Sequence, residues 1–205
     1  MIPKVIHQIW IGNQNKRPSK MMQTWIDKNP SWEYMFWSED NIPPLINSKH
    51  FRNMREYSGK ADILRYELLL NYGGFYIDAD SVCLKPLEDW LCDNDSFACY
   101  ENEVLRGDLI ANGYLAATKN NELMALLVEE LKQVKNINQY RAWIVSGPVL
   151  LTNTYRKYAY EKLKIYPSHY FIPQHHICTE RYTGLDHVFA EQYWGNTQSL
   201  YGILK

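Results

Sequence analysis

Apolar positions along this chain fall into two patterns, short continuous runs and spacings of three and four. Val5 to Trp10 is apolar and β-branched apart from His7 and Gln8, and Gly12-Asn13 closes it, which predicts a buried first strand ending in a loop. Pro18-Ser19 then opens a helix through Met21, Met22, Trp25 and Ile26, and Asn29-Pro30 stops it. The aromatic stretch Trp32 to Trp37 holds no breaker and is short, so it reads as a second strand. Asp40 to Phe51, with Pro43-Pro44, reads as irregular or short-helical surface. A strong helix lies within Gly59 to Tyr72, with Gly73-Gly74 as its left-handed cap, and Phe75-Tyr76-Ile77-Asp78 follows as a short strand. Phe97 to Tyr100 and Leu109 to Ala117 predict strands, Glu122 to Val134 an amphipathic helix capped by Asn120 or Asn121, and Ser146-Gly147-Pro148 opens a further helix. From Lys164 onward the chain is aromatic and turn-rich, mixed strand and loop. The pattern predicts one α/β domain with the last ~40 residues wrapping it, and shows no repeat or linker.

Composition narrows the function classes. The chain has 205 residues, ample for a packed core, and its 46% hydrophobic and 22% charged residues exclude disordered, collagen-like and coiled-coil classes. Twenty-two Lys+Arg against 23 Asp+Glu give a net charge of -1, which lacks the cationic field of a general nucleic-acid binder, so no nucleic-acid partner is expected. Cys83, Cys92, Cys99 and Cys178 form no C-x-x-C pair and are too few for a disulfide scaffold, which predicts buried reduced thiols and a cytosolic setting. The segment Pro3 to Trp10 has none of the marks of a secretory leader, so the protein is expected to start at its first strand. No window approaches the ~20 apolar residues of a membrane span, which leaves only peripheral membrane contact open.

Candidate chemistry concentrates at Tyr76-Ile77-Asp78-Ala79-Asp80. In an extended chain Asp78 and Asp80 project to one side with α-carbons ~7 Å apart. Two carboxylates facing one point repel unless a cation neutralises them, and a hard divalent ion takes oxygen ligands. The functional reading is an Mn2+ or Mg2+ site completed by water and phosphate; the plainer one, of similar weight, is two acids decorating a turn. Neighbours on one strand face cannot flank a glycosidic bond. Val82 and Cys83 stand where a calcium loop needs its fifth ligand and its glycine. A phosphatase of the haloacid dehalogenase group would also read apolar-apolar-Asp-x-Asp-Ser, and it stays as an alternative although such motifs usually open the chain.

Asp62 and Arg65, three apart on one helix face, are either a surface ion pair worth ~0.3 kcal/mol or a pair that orders a polyhydroxylated ligand. Trp10, at the end of the first strand, is either plain core or a ring that stacks on a base beyond the strand ends. His175-His176-x-Cys178 lacks a second ligand pair at zinc spacing and reads as structural or surface; His7 reads as a satisfied core imidazole. The absence of Gly-x-Gly-x-x-Gly, Gly-Lys-Ser/Thr and Gly-x-Ser-x-Gly argues against dinucleotide redox chemistry, P-loop phosphoryl transfer and the usual serine hydrolases.

Taken in order, Ile2 to Trp10, Asn29-Pro30-Ser31-Trp32-Glu33-Tyr34, Ala61 to Tyr66 and Gly73-Gly74-Phe75-Tyr76-Ile77-Asp78-Ala79-Asp80 resemble glycosyltransferase family 32, the DXD sugar-binding group of capsular-polysaccharide and mannosyl transferases related to clostridial glucosylating toxins. Similarity is close over roughly residues 1 to 90 and weaker through Ile110-Ala111-Asn112-Gly113 and Ser146 to Thr152. The resemblance implies a GT-A fold, a Rossmann-like mixed sheet flanked by helices, and transfer of a sugar from a nucleoside diphosphate, UDP or GDP, with retention at the anomeric carbon. Ile9 and Trp10 would receive the base, Asp62 and Arg65 the donor-sugar hydroxyls, and Tyr76 would line the donor pocket. Asp78 would contact ribose or sugar and help place the metal, Asp80 would ligate Mn2+ or Mg2+, and Asn112 would lie near the reacting centre.

The C-terminal part departs from the family's Tyr-Ala-x-His-His-Trp-x-x-Ser-Trp stretch. Phe189-Ala190-Glu191-Gln192-Tyr193-Trp194-Gly195-Asn196-Thr197-Gln198 stands there without either histidine, so Gln192 or Glu191 is the oxygen substitute to consider at the metal, and a catalytically weakened nucleotide-sugar-binding protein is a further alternative. The acceptor implied is a glycan, a lipid-linked sugar or another hydroxyl, in envelope or exopolysaccharide assembly at the cytoplasmic side of a membrane.

Overall fold

β1 (Val5–Ile9) opens the fold in the computed structural model, which describes residues 1–195. The strand is buried in spite of His7 and Gln8, so both polar side chains need partners inside. His7 Nε2 lies 2.8 Å from the Gly73 carbonyl oxygen, and its Nδ1 accepts a hydrogen bond from Trp37 Nε1 at 3.1 Å. Gln8 donates to the Asp78 carbonyl and accepts from the Tyr34 hydroxyl. The expectation of a satisfied core imidazole holds.

After β1 come α1 (Ser19–Lys28), β2 (Glu33–Trp37), α2 (Ser48–Asn53), α3 (Tyr57–Tyr72), β3 (Gly74–Ile77), β4 (Ser81–Cys83), β5 (Ser96–Tyr100) and β6 (Ile110–Ala117). Then follow α4 (Glu122–Lys132), α5 (Ala142–Val145), α6 (Pro148–Lys157), β7 (Leu163–Tyr166) and β8 (Ala190–Gln192). Six strands form one sheet in the order β2-β1-β3-β6-β5-β7, with β1 parallel to both β2 and β3 and with β6 antiparallel to its neighbours. The chain leaves β1 first to β2 on one side and later returns to β3 on the other. That reversal opens a crevice beyond the carboxyl ends of β1 and β3, the usual place for a ligand on an α/β sheet.

Side chains of β3 alternate between two cores. Phe75 and Ile77 pack with Ile6, Trp25, Phe97, Phe171 and Phe189 on one face, while Tyr76 packs with Leu64, Leu68, Leu115 and Leu127 on the other. α3 is buried on every side from Asp62 to Leu69, wedged between the sheet and α4, so its charged residues sit inside the protein. Glu67, for instance, accepts from the backbone amides of Ile46 and Asn47.

Several local expectations change. Gly73 ends α3 at φ 68° and ψ -167°, so it is not a left-handed helical cap but an extended conformation of positive φ that only glycine adopts readily. Gly74 is equally constrained: a Cβ there would lie 2.6 Å from the Val5 carbonyl oxygen and 3.0 Å from His7 Nε2. β4 and α5 leave no periodic mark because each is a single short segment held by distant partners. All four cysteines are free; Cys83, Cys92 and Cys99 are buried as expected, whereas Cys178 is half-buried on a loop.

The His7 network makes a pH prediction. Burial holds its imidazole down to about 4, and a proton on Nδ1 would face the Trp37 N–H donor. Because the unfolded chain takes up that proton near pH 6.5 and the folded chain does not, stability present above pH 6.5 is lost as pH falls toward 4, by on the order of 3 kcal/mol. Urea unfolding at pH 7 and pH 4.5 should show a smaller loss in His7→Asn than in the wild type; equal losses would assign the acid sensitivity to other groups.

Candidate functional site

Asp78 directly follows β3 and Trp10 directly follows β1, so the parallel pairing of those strands brings both to one crevice. The crevice is a cavity of about 810 Å3 whose walls include Ile9, Trp10, Asp62, Arg65, Tyr76, Asp78, Asp80, Asn112 and Gln192. The Trp10 ring packs on Ala79, the residue between the two aspartates, and on Met22.

The two carboxylates converge by a route other than strand alternation. β3 ends at Ile77, and the chain turns at Ala79-Asp80 before entering β4, so Asp78 and Asp80 lie on a turn rather than on one face of an extended strand. Asp78 Oδ1 accepts from the Tyr76 hydroxyl at 2.8 Å and from Arg65 Nη2 at 3.3 Å. Its Oδ2 would be 2.5 Å from a Cβ at position 113, which is why only glycine fits there on β6. Asp80 Oδ1 accepts from Gln192 Nε2 at 2.9 Å and Oδ2 from the Gly195 amide at 2.6 Å. Burial first, and the Asp78 charge second, push the Asp80 carboxyl up to about 6, against the pull of those two donors.

Arg65 is the hub of the floor. Its guanidinium bonds the Asn112 carbonyl and the Tyr76 hydroxyl, pairs with Asp62 at 3.2 Å and Asp78 at 3.3 Å, and lies over the Tyr76 ring 4.1 Å from the centroid. The pair Asp62–Arg65 is therefore buried, not a surface ion pair. Asp62 Oδ1 accepts from Asn112 Nδ2 and Oδ2 from Ser146 Oγ, both at 2.8 Å; burial raises the affinity of this carboxylate for a proton while Arg65, Ser146 and Asn112 oppose the shift. Asn112 thus spends its side-chain amide on Asp62 and Tyr66.

Asp62 and Asp78 share the guanidinium of Arg65, while Asp80 accepts from Gln192 and the Gly195 amide and feels the Asp78 charge. Among the described residues no three His, Cys, Asp or Glu side chains gather into a closed metal centre. The oxygen donors present nevertheless fit a hard divalent ion of the Mg2+ or Mn2+ kind, which needs only one or two carboxylates and takes its other ligands from water and phosphate.

Of the two residues considered as substitutes for the absent histidines, only Gln192 reaches Asp80. β8 pairs with β4 and alternates, so Gln192 points to Asp80 and Tyr114 while Glu191 faces the other way and pairs with Arg181. The oxygen of Gln192 accepts from the Tyr114 hydroxyl, which aims its amide nitrogen at Asp80. Asn196, Thr197 and Gln198 lie outside the described residues.

The pattern of the chain did not single out Ser146, Tyr57, Trp143, His176 or Trp194 as wall residues, yet all but Ser146 line the cavity and Ser146 holds Asp62. His175 and His176 separate: His175 is fully buried against Glu101 at 3.0 Å, and His176 reaches the cavity wall beside Trp194. Trp194 adopts a positive φ of 54°, a strained conformation for a bulky residue. The Ser146-Gly147-Pro148 signature was the one sequence signal pointing to this wall.

Comparison with known proteins follows the same lines. Residues 15–97 match the family model described as the glycosyltransferase sugar-binding region containing DXD motif. The chain is 29% identical over 177 residues to inositol phosphoceramide mannosyltransferase 2 of Schizosaccharomyces pombe, across 77% of this chain and 47% of the relative. It is 35% identical over 107 residues to the initiation-specific α-1,6-mannosyltransferase of Candida albicans, across 45% of this chain and 28% of the relative. The chain spans about half the length, or less, of these curated relatives. Among solved structures, PaToxG glycosyltransferase superposes with a TM-score of 0.63 at 18% identity, covering 77% of this chain and 70% of that one. The UDP-bound glycosyltransferase domain of the YGT toxin superposes with a TM-score of 0.56 at 11% identity, covering 80% and 79%. At such identities the likeness speaks for fold alone. Over residues 15–97 this chain thus carries the sugar-binding region of the DXD-containing glycosyltransferases, it resembles the fungal mannosyltransferases around it, and its fold is the GT-A fold.

Proposed function

We propose that the chain, as one domain over residues 1–205, transfers a sugar from a nucleoside diphosphate to a hydroxyl acceptor with retention at the anomeric carbon, using Mn2+ or Mg2+. The observation that carries this reading is a single cavity walled by the ring of Trp10, the Asp62–Arg65 pair and the Asp78–Ala79–Asp80 turn. Trp10 and Ile9 offer an apolar wall to the base. Asp62, held by Ser146 and Asn112, accepts hydrogen bonds from donor-sugar hydroxyls, and Arg65 fixes both Asp62 and Asp78 so that neither carboxylate can swing. Asp78 and Asp80 would hold the divalent ion, which supplies neutralising charge for the diphosphate. Gln192 and the Gly195 amide orient Asp80. As the glycosidic carbon–oxygen bond breaks, its electron pair leaves with the diphosphate oxygen, and the acceptor oxygen forms the new bond while releasing its proton. The buried floor keeps water from competing. No side chain is assigned as a covalent nucleophile.

The names of the fungal relatives favour mannose as the sugar, and the base is UDP's or GDP's. The acceptor is a glycan, a lipid-linked sugar or another hydroxyl, and polysaccharide assembly at the cytoplasmic face of a membrane is the setting proposed. No described helix is long and apolar enough to cross a membrane. A binding protein without turnover is the second reading, favoured by the occupation of both Asp80 oxygens by Gln192 and Gly195.

Thermal unfolding in the presence of UDP, GDP and their hexose conjugates, each with and without Mn2+, tests the reading. One base should raise the melting temperature, and more so with Mn2+, as expected when a ligand binds only the folded state. Absence of any shift, together with phosphate release from p-nitrophenyl phosphate, would move the assignment to the phosphatase alternative. Product analysis with the best donor separates transfer from binding alone.

A further inference from the structure

Trp143 is the largest side chain of α5 and is 48% exposed, although it borders the cavity that holds Asp62 and Arg65. An indole half open on a cavity wall offers a ring face to a ligand. Its backbone is also pinned. A Cβ on Gly147 would lie 2.7 Å from Trp143 Cα, so the absence of that side chain lets α6 begin directly against the Trp143 backbone. The Ala142 amide donates to Glu56 Oε1 at 2.9 Å, and Arg141 Nε pairs with Glu56 Oε2 at 3.1 Å. The ring is thus carried on a short, fixed segment rather than on a loose loop.

The cavity itself relates this ring to the donor-sugar floor. Ser146, whose hydroxyl holds Asp62 Oδ2 at 2.8 Å, caps the end of the short helix that carries Trp143, and Trp143 and Asp62 line one cavity. A group stacked on Trp143 therefore shares the cavity with whatever Asp62 holds. Trp10 lies at the opposite structural origin, the end of β1, and packs on Ala79. The base and the group at Trp143 thus meet residues of different elements, β1 and α5.

On the glycosyl-transfer reading above, we propose that Trp143 is the stacking platform of the acceptor subsite, and that the acceptor group it takes is a pyranose ring. A pyranose offers an apolar C–H face to an indole and hydroxyls at its rim; here Arg141 and Glu56, which also line the cavity, supply a donor and an acceptor for those hydroxyls. A flexible aliphatic alcohol has no such face and gains little from a fixed ring.

The test uses the full chain with nucleoside diphosphate and Mn2+ present, and methyl α-mannopyranoside, methyl α-glucopyranoside and methyl β-galactopyranoside as probes. Saturation-transfer NMR should detect at least one glycoside on the wild type. Trp143→Ala should weaken that glycoside roughly tenfold, Trp143→Phe should restore most of the affinity, and nucleotide affinity should stay within about twofold in both. Binding of the glycoside equally well by Trp143→Ala, binding of no glycoside by the wild type, or a loss confined to nucleotide affinity would each overturn the subsite. If the wild type binds a glycoside through Trp143 but no nucleoside diphosphate at all, the subsite stands and the donor assignment fails.

Discussion

Arg65→Ala is expected to lower the free energy of unfolding by about 3–5 kcal/mol, the cost of stranding a buried charge without its partner. The magnitude follows from how the floor is built. Asp62 and Asp78 both face the one guanidinium, and Asp62 is buried apart from the edge it presents to the cavity. Removing the cation leaves Asp62 to its two neutral donors, Ser146 and Asn112, and frees the Tyr76 hydroxyl and the Asn112 carbonyl as well. Arg65→Lys should recover only part of the loss, because a single ammonium cannot reach a carbonyl, a hydroxyl and two carboxylates in a planar fork. Urea midpoints of the three proteins decide the matter. A loss below about 1 kcal/mol for the alanine variant would mean that Asp62 is neutral in the folded protein and needs no counter-charge.

Asp80→Asn is expected to abolish most metal-dependent nucleotide affinity, by about a hundredfold or more, while leaving the protein as stable as the wild type or more so in metal-free buffer. The two effects share one cause. Burial and the neighbouring Asp78 charge make Asp80 costly to ionise, holding it near 6, above its unfolded value. For a carboxyl raised in this way the folded state keeps its proton longer, so the cost appears as pH rises from about 4 through 6 and persists at pH 7. An amide carries no such charge, and Gln192 can turn its own amide to match, with the Tyr114 hydroxyl accepting instead of donating. Isothermal titration of the best nucleotide with Mn2+ and urea unfolding without it measure the two halves. Retained Mn2+-dependent affinity in Asp80→Asn would sink the assignment of this carboxylate as a ligand.

These expectations rest on residues that are legible in the amino-acid sequence itself. Trp10, Asp62, Arg65, Asp78 and Asp80 each stood out because the signal is local: a ring ending an apolar strand, charges three apart on a helix, acids two apart at the end of a short strand. The reason for convergence was only partly legible. Strand alternation was the expected device, but the chain turns at Ala79-Asp80, because β4 must start there to meet β8. Elements with a strong period, such as α1 and α4, and long apolar runs, such as α3 and β6, follow the sequence closely, whereas β4, β8 and α5 have three or four residues each and no period to display.

What the amino-acid order determined by itself, then, is the run of strands and helices around β1 and β3 and the chemistry at their ends, since neighbours in sequence dictate burial and spacing there. Tertiary structure alone decided that Gln192 rather than Glu191 meets Asp80, that Ser146 holds Asp62, and that His176 and Trp143 line the same cavity. Gln192 and Asp80 are 112 residues apart, and Ser146 and Asp62 are 84. Contacts at that separation leave no periodic trace in either partner; they exist because two cores fill opposite faces of one sheet and carry distant loops to its open edge.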